Sequence, residues 1–343
     1  MMSRKINILT PSAGNHYQHL LDFKEVDGVG RVITTEIDSL APAIHAADKC
    51  YRAPRIDAQG YPDALMEICR VEEIDWIVPL TDPDVVRLAE SRELFTGHSI
   101  GVFSPPPGTV AVAADKYRTA CFFLEHSIPH PATYLLKDVQ QALEECGLPL
   151  FLKPRYMNKR AGGGYFFEAF DDREELLSCA EGIAASEDYV LQQYLQGQEV
   201  NVDFFCDEAG RLISVVPGLR ISALAPIFTK TGGAIVRGET FHSKTINDYV
   251  AGVTASLAFF GAANLQGFLD GEGNTSFTEI NPRFSGASVM TEPAGAHFHA
   301  WAVGLMRGEK LTPQIDNFDE IYMTCWHAPL FFKQPPLPEI EEM

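Results

Sequence analysis

FTEINPRFSGAS, residues 277–288, sets Glu279, Asn281 and Arg283 at alternating positions of a segment that otherwise reads as a buried strand. A strand repeats every two residues, so the three polar groups share one face, while Phe277, Ile280 and Pro282 are left for the core or the strand end. Upstream, NLQGFLD (264–270) and the turn GEGN (271–274) predict a hairpin with this segment. Closing that hairpin brings Gln266 beside Glu279. Carboxylate and amide oxygens then gather on one face, and such oxygens suit a hard divalent cation such as Mg²⁺, which shares its shell with water and phosphate. An ion pair between Glu279 and Arg283 on an exposed sheet face explains the same pattern without a metal.

Working outward, FLKP (151–154) ends a strand with a cation at Lys153 and leads into Arg155, Lys159, Arg160 and the glycines Gly162, Gly163 and Gly164. Glycines let backbone N–H groups approach phosphate oxygens, lysine supplies a point charge and arginine a fork of donors. A flexible hairpin loop is the alternative. Lys116 follows Asp115, an N-cap type of residue, and reads either as an anion contact or as a solvated helix residue. Neither a Walker loop nor a GxGxxG fingerprint occurs.

The chain divides into three lobes. The first opens with INILT (6–10), the turn PSAGN (11–15) and the helical HYQHLLDFKEV (16–26). It continues through RVITTEI (31–37), YPDALMEICRVEEI (61–74), DWIVPLT (75–81) and DPDVVRLAESRELF (82–95). Alternating strands and helices predict a Rossmann-like parallel sheet with ligands beyond the carboxyl ends of its strands. Gly14, Asn15, Asp82 and Asp84 fall at such ends, where the aspartates also read as helix caps or turn formers. SPPPGTV (104–110) marks a boundary, because consecutive prolines continue neither a helix nor a central strand. The second lobe starts with the helix at 115–127 and holds two strands around the basic glycine-rich loop. From residue 189 onward, alternation and the turn DEAGR (207–211) predict another hairpin, followed by a helix over 248–261. The predicted domains are residues 1–113, 114–189 and 190–343, an α/β lobe followed by two α+β lobes.

Composition narrows the function. Against 27 basic residues stand 46 acidic ones, a net charge of −19 that opposes general binding to nucleic acid or to anionic membranes. The opening MMSRKINILT lacks a secretory apolar region, and no stretch reaches the 18 apolar residues of a membrane span, so a cytoplasmic location is expected. Seven cysteines without a CxxC pair predict packed, reduced thiols. His297 and His299 share a face on a strand and diverge on a helix. With no third ligand in view, they receive no metal role.

The order of these features, a helix-start lysine at 116, a strand lysine at 153 before a glycine-rich loop, QQYLQGQE (192–199) and then EINPRFSG (279–286), resembles the ATP-grasp enzymes. The similarity is to the branch of the carbamoyl-phosphate synthase large subunit and free-standing carboxylate–amine ligases. It implies ATP held between two α+β lobes, with Lys116 and Lys153 on its phosphates and Gly162, Gly163 and Gly164 in a lid. It also implies an adenine-reading connector at Gln193, Tyr194 and Leu195, and Glu199 on the ribose. Gln266, Glu279 and Asn281 match the magnesium pattern, with Mn²⁺ as a substitute, and Arg283 the group that steadies the transferred phosphoryl. Two positions depart: QQYL lacks the glutamate many relatives carry near its start, and Gln266 replaces an aspartate of other branches. The implied reaction converts a small-molecule carboxylate into an acyl phosphate, from which an amine or another nucleophile then displaces phosphate. Relatives are commonly homodimers. Arg220, Lys230, Gly232 and Gly233 read as further anion contacts or as ordinary surface, and the SGAS segment (285–288) as a source of N–H groups for a substrate carboxylate. First-lobe residues and a loop over 218–240 are expected to choose the substrates. The competing readings are an ATP-binding accessory or sensor protein and, further behind, a nicotinamide-dependent dehydrogenase, which lacks its glycine fingerprint.

Overall fold

Hydrophobic pattern and strand register arrange the described residues on three sheets. The computed structural model describes residues 4–157, 168–223, 235–326 and 328–331. The first sheet is parallel and holds β1 (Ile6–Pro11), β2 (Val29–Glu36), β3 (Lys49–Arg52), β4 (Trp76–Ile77) and β5 (Gly101–Val102) in the order β3-β2-β1-β4-β5. Between them run α1 (Tyr17–Glu25), α2 (Tyr61–Val71), α3 (Asp82–Glu90) and α4 (Arg92–Thr96). DWIVPLT yields only the short β4. Val78 still donates to Leu9 O at 2.8 Å, but Pro79 has no N–H with which to extend the ladder. The single helix read over 82–95 is split at Ser91, whose φ of −107° and ψ of 12° leave helical geometry.

The proline-rich boundary starts a helix. Pro107 occupies the first turn of α5 (Pro107–Ala113), where a missing N–H costs nothing. Then α6 (Lys116–Glu125) leads into an antiparallel sheet of β6 (Thr133–Leu135), β7 (Leu150–Pro154), β8 (Glu168–Phe170) and β9 (Tyr189–Gln193), ordered β6-β9-β7-β8. One side is covered by α7 (Val139–Cys146) and α8 (Arg173–Gly182), whose Ala142, Leu143 and Leu176 share a core with Leu150, Leu152 and Leu191.

The third sheet contains β10 (Gln198–Cys206), β11 (Leu212–Ala223), β12 (Ile235–Thr240), β13 (Gly261–Leu269), β14 (Thr275–Asn281) and β15 (Tyr322–Thr324) in the order β14-β13-β10-β11-β12-β15. Alternation sorts its faces. Val200, Val202, Phe204, Leu265, Phe277 and Ile280 pack on α6 and on α9 (Lys244–Ser256), whose Ile246, Val250 and Val253 recur at helical spacing. On the opposite face, Phe205, Val216 and Ala262 join the first-lobe core through α10 (Phe298–Met306), a helix buried on almost every side. The rest of that face is polar.

One irregularity decides which groups it presents. Strict alternation would put Phe277 beside Glu279, yet Phe277 is in the core. The register slips between Gln266 and Gly267, so Thr278 is an extra residue, a β-bulge, and Glu279 turns to the polar face opposite Gln266. Gly267 is required there: a Cβ would lie 2.2 Å from Ser276 O.

Lys159, Arg160, Gly162, Gly163, Gly164, Lys230, Gly232, Gly233 and the acidic end 337–343 lie outside the described residues. Among those described, no helix is long and apolar enough to cross a membrane. All seven cysteines are free thiols, with Cys69 and Cys206 buried. Segment 218–240 is not one loop; its described parts are the end of β11 and the whole of β12.

Candidate active site

Two cations from one side meet a carboxylate from the other. Lys153 on β7 and Lys116 at the start of α6, both buried, bring Nζ to 3.3 and 3.7 Å from Glu279 Oε1. Asp115 caps α6, accepting from the N–H groups of Tyr117 and Arg118 at 3.0 and 3.3 Å. Arg155 grips the same carboxylate with two bonds of 2.8 and 2.7 Å, and its carbonyl accepts the Lys116 N–H at 2.9 Å. The two lysine backbones are thereby fixed together. Burial, opposed by Glu279 and reinforced by Lys116, lowers the Lys153 ammonium to about 8. Burial works to raise the Glu279 carboxyl, but Lys116, Lys153 and Arg283 outweigh it and hold the group below the usual carboxylate range.

The amides around Glu279 are oriented by a residue the sequence reading missed. Gln266 donates to Asn201 Oδ1 at 3.4 Å, and Asn201 donates to Asp203 Oδ2 at 2.9 Å and to Ser285 Oγ at 3.3 Å. In parallel, Asn281 donates to Asn264 Oδ1 at 3.3 Å, and Asn264 to Asp203 Oδ1 at 3.4 Å. Both relays end on the buried Asp203, whose carboxyl burial raises to about 7. With the N–H groups drawn toward Asp203, the side-chain oxygens of Gln266 and Asn281 are left as acceptors. Together with Glu279 they form an oxygen set of the kind Mg²⁺ takes. The alternation of Asn201 and Asp203 with Val200, Val202 and Phe204 is the same signal as in EINPR, and it was legible in VNVDFF.

Other candidates are engaged differently from the sequence reading. Arg283 forks onto Asp82 of α3, with Nη2 to Oδ2 at 2.9 Å and Nε bonded to Oδ1, so it joins two lobes and makes no ion pair with Glu279. Asp82 is therefore more than a turn former, and Thr81 caps α3. Asp84 is buried, bonded to Tyr61 Oη at 2.5 Å and to Thr81 Oγ1 at 2.7 Å, and burial lifts it to about 7. Glu199 and Arg220, assigned to ribose and to an anion, form an ion pair with one another. In the connector, the Gln193 and Tyr194 N–H groups donate to Ala132 O and Pro149 O at 2.9 and 3.2 Å. Those two donors do not face outward. A cavity of about 280 Å³ beside the connector is lined by Pro149, Tyr194, Leu195, Gln196, Phe268, Asp270, Asn274 and Ser276, and touches neither Lys153 nor Glu279. In SGAS, the Ala287 and Ser288 N–H groups both donate to Ser285 Oγ at 3.0 Å, which removes them as donors to a substrate. His297 precedes α10, and His299 points inward from it.

Residues 8–103 match the family described as PylC-like, N-terminal domain. Residues 185–325 match ATP-grasp in the biosynthetic pathway with Ter operon. An ATP-grasp family model thus matches the third lobe and a PylC-like one the first. Among curated relatives, the carbamoyl phosphate synthase large chain of Thermomicrobium roseum is 25% identical over 262 residues, 72% of this chain and 23% of its own length. That of Methanocorpusculum labreanum is 26% identical over 72% of this chain and 24% of its own length. The chain thus spans about a quarter of the length of these relatives. Its fold matches N5-carboxyaminoimidazole synthetase from Staphylococcus aureus with a TM-score of 0.68, covering 91% of this chain and 79% of that one at 14% identity. Biotin carboxylase from Campylobacter jejuni gives 0.70 over 90% and 72% at 17% identity.

Proposed function

We propose that this protein is an ADP-forming ligase that activates a small-molecule carboxylate with ATP and joins it to an amine. The observation that carries the reading is the convergence of Lys116 and Lys153 on Glu279. Two buried ammoniums aimed at one carboxylate are compensated in the ligand-free protein and poised for a polyphosphate when a cation takes Glu279. Glu279, Asn281 and Gln266 would hold Mg²⁺, for which Mn²⁺ is the natural substitute. The metal, when bound, supplies neutralisation of charge on the phosphate oxygens. Lys116 and Lys153 bind and orient the phosphates. Arg283, held by Asp82, stands by for the transferred group, and Arg220 for an anionic substrate. Glu199 takes the ribose hydroxyls by exchanging Arg220 for them. Gln193, Tyr194 and Leu195 border the adenine. The likeness to a carbamoyl phosphate synthase large chain, an N5-carboxyaminoimidazole synthetase and a biotin carboxylase supports the class and leaves the substrates open.

The test is ADP release with magnesium across a panel of amino acids, small acids and amines, with Glu279→Gln as control. Release stimulated by a carboxylate and amine pair, absent in the variant, supports ligation. Nucleotide binding without stimulated release supports the second reading, an accessory or sensor protein. That reading is favoured by the engagement of Arg283 with Asp82 and of Glu199 with Arg220.

A further inference from the structure

Away from the lysines, a second constellation lies where the first lobe meets α10. His19 and Asp22, three residues apart on α1, share one helical face, and His299 of α10 is opposite them. Both histidines are buried. His19 Nδ1 and His299 Nε2 are 3.0 Å apart, Asp22 Oδ2 is 3.9 Å from His299 Nε2, and the three donor atoms all fall within 4.8 Å of one another.

Every outward-facing atom of this trio is already tied. His19 Nε2 is 3.0 Å from Ser285 O, a carbonyl that only accepts, so that nitrogen carries the proton. His299 Nδ1 is 2.8 Å from Glu292 Oε1, a carboxylate that also accepts the His299 backbone N–H at 2.9 Å, so Nδ1 is protonated as well. Gln18 Nε2 donates to Asp22 Oδ1 at 2.8 Å, which leaves Oδ2 facing the rings. In neutral imidazoles the two remaining nitrogens are lone pairs pointed at each other. Something positive has to stand between them.

One extra proton between the two rings is one solution, but it leaves Asp22 Oδ2, 3.9 Å from His299 Nε2, outside hydrogen-bond reach. A metal dication uses all three inward donors. Donor atoms around a tetrahedral zinc are separated by about 3.3 Å, given Zn–N and Zn–O lengths of about 2 Å. The observed 3.0 and 3.9 Å bracket that spacing. Ligating histidines characteristically give their other N–H to a carbonyl or carboxylate, the pattern made here by Ser285 and Glu292. We propose that His19, Asp22 and His299 form a site for one transition-metal dication, zinc by its ligand chemistry, separate from the oxygen set at Glu279. Occupied, it staples α1 to α10 and, through His19, holds the carbonyl two residues beyond Arg283.

The full chain, stripped with a chelator, is titrated with Co²⁺ and then Zn²⁺, without nucleotide. The expected result is one equivalent of Co²⁺ with the visible bands of a low-coordinate N/O site, displaced by Zn²⁺. Glu292→Gln should weaken binding about 10–100-fold, and Asp22→Asn, at the least buried ligand, should weaken it while circular dichroism stays unchanged. Glu279→Gln should bind the metal as the parent does, which separates this site from the proposed magnesium set. Where His19→Ala or His299→Ala fails to fold, ¹⁵N shifts of the parent histidines decide: metal-dependent shifts on His19 Nδ1 and His299 Nε2 support the site. A doubly protonated His299 unaltered by metal, or stoichiometric binding that survives Asp22→Asn and Glu292→Gln undiminished, overturns it.

Discussion

At Glu279 a single carboxylate balances two ammoniums, and its replacement separates electrostatics from shape. Glu279→Gln keeps the volume but leaves Lys116 and Lys153 facing each other. The expected stability cost is about 1–3 kcal/mol at pH 7, less at pH 9, because Lys153 can release its proton. Denaturant titration at both pH values checks this, and ADP release should be lost. Lys153 gives the clearest pH signature. Its value of about 8 lies below the ordinary 10.5, so between those limits the folded chain holds fewer protons than the unfolded one. This group's contribution to stability therefore rises as pH climbs through that window. Nucleotide affinity should move the opposite way, weakening by up to about tenfold per pH unit above pH 8, since phosphate binding needs the ammonium. Calorimetric titration from pH 7 to 9.5 measures it, and Lys153→Arg should flatten the profile.

The β13–β14 hairpin owes its polar face to the Thr278 bulge, and the bulge owes its closeness to Gly267. Gly267→Ala forces the Ser276 backbone away. The expected loss is about 1–3 kcal/mol, with a larger fractional loss of metal-dependent activity than of stability, because Glu279 turns off its line. A reverted register, seen as Phe277 and Glu279 exchanging solvent protection in hydrogen exchange, would account for both. The amide relays give a second expectation for the same sheet. Asp203→Leu removes the common acceptor of Asn201 and Asn264 and frees the amides to flip. Magnesium dependence should shift to higher concentration, and measured magnesium half-saturation reports it.

Across the whole molecule, Arg283 and Asp82 join the loop after β14 to the start of α3. Both side chains are largely out of solvent, so Asp82→Ala leaves an arginine charge without its partner. The expected cost is at most about 3 kcal/mol, below that of a fully buried pair because Asp82 stays a quarter exposed. If Arg283 is released to a phosphoryl group during turnover, saturating nucleotide should shrink that cost. Thermal unfolding with and without Mg-ATP checks the difference. The buried cluster at α1 and α10 spans the same pair of lobes. Core packing through Phe23, Phe284 and Phe298 surrounds it, so the interface is apolar with polar ties embedded in it.

Period-two and helical patterns in the chain were enough to determine the parallel first lobe, the two antiparallel hairpins and the N-cap at Asp115, whereas the bulge at Thr278 that sets Glu279 opposite Gln266 was not in the pattern. The features so determined depend on residues near one another along the sequence, where hydrophobic spacing and turn chemistry act directly. Only the tertiary structure decided which partner each charge takes. Arg283 turns to Asp82, Glu199 to Arg220, and His299 to His19, the last 280 positions away. A buried charge takes whichever complementary group the packing of distant elements brings within about 4 Å, and that distance is written in no local pattern.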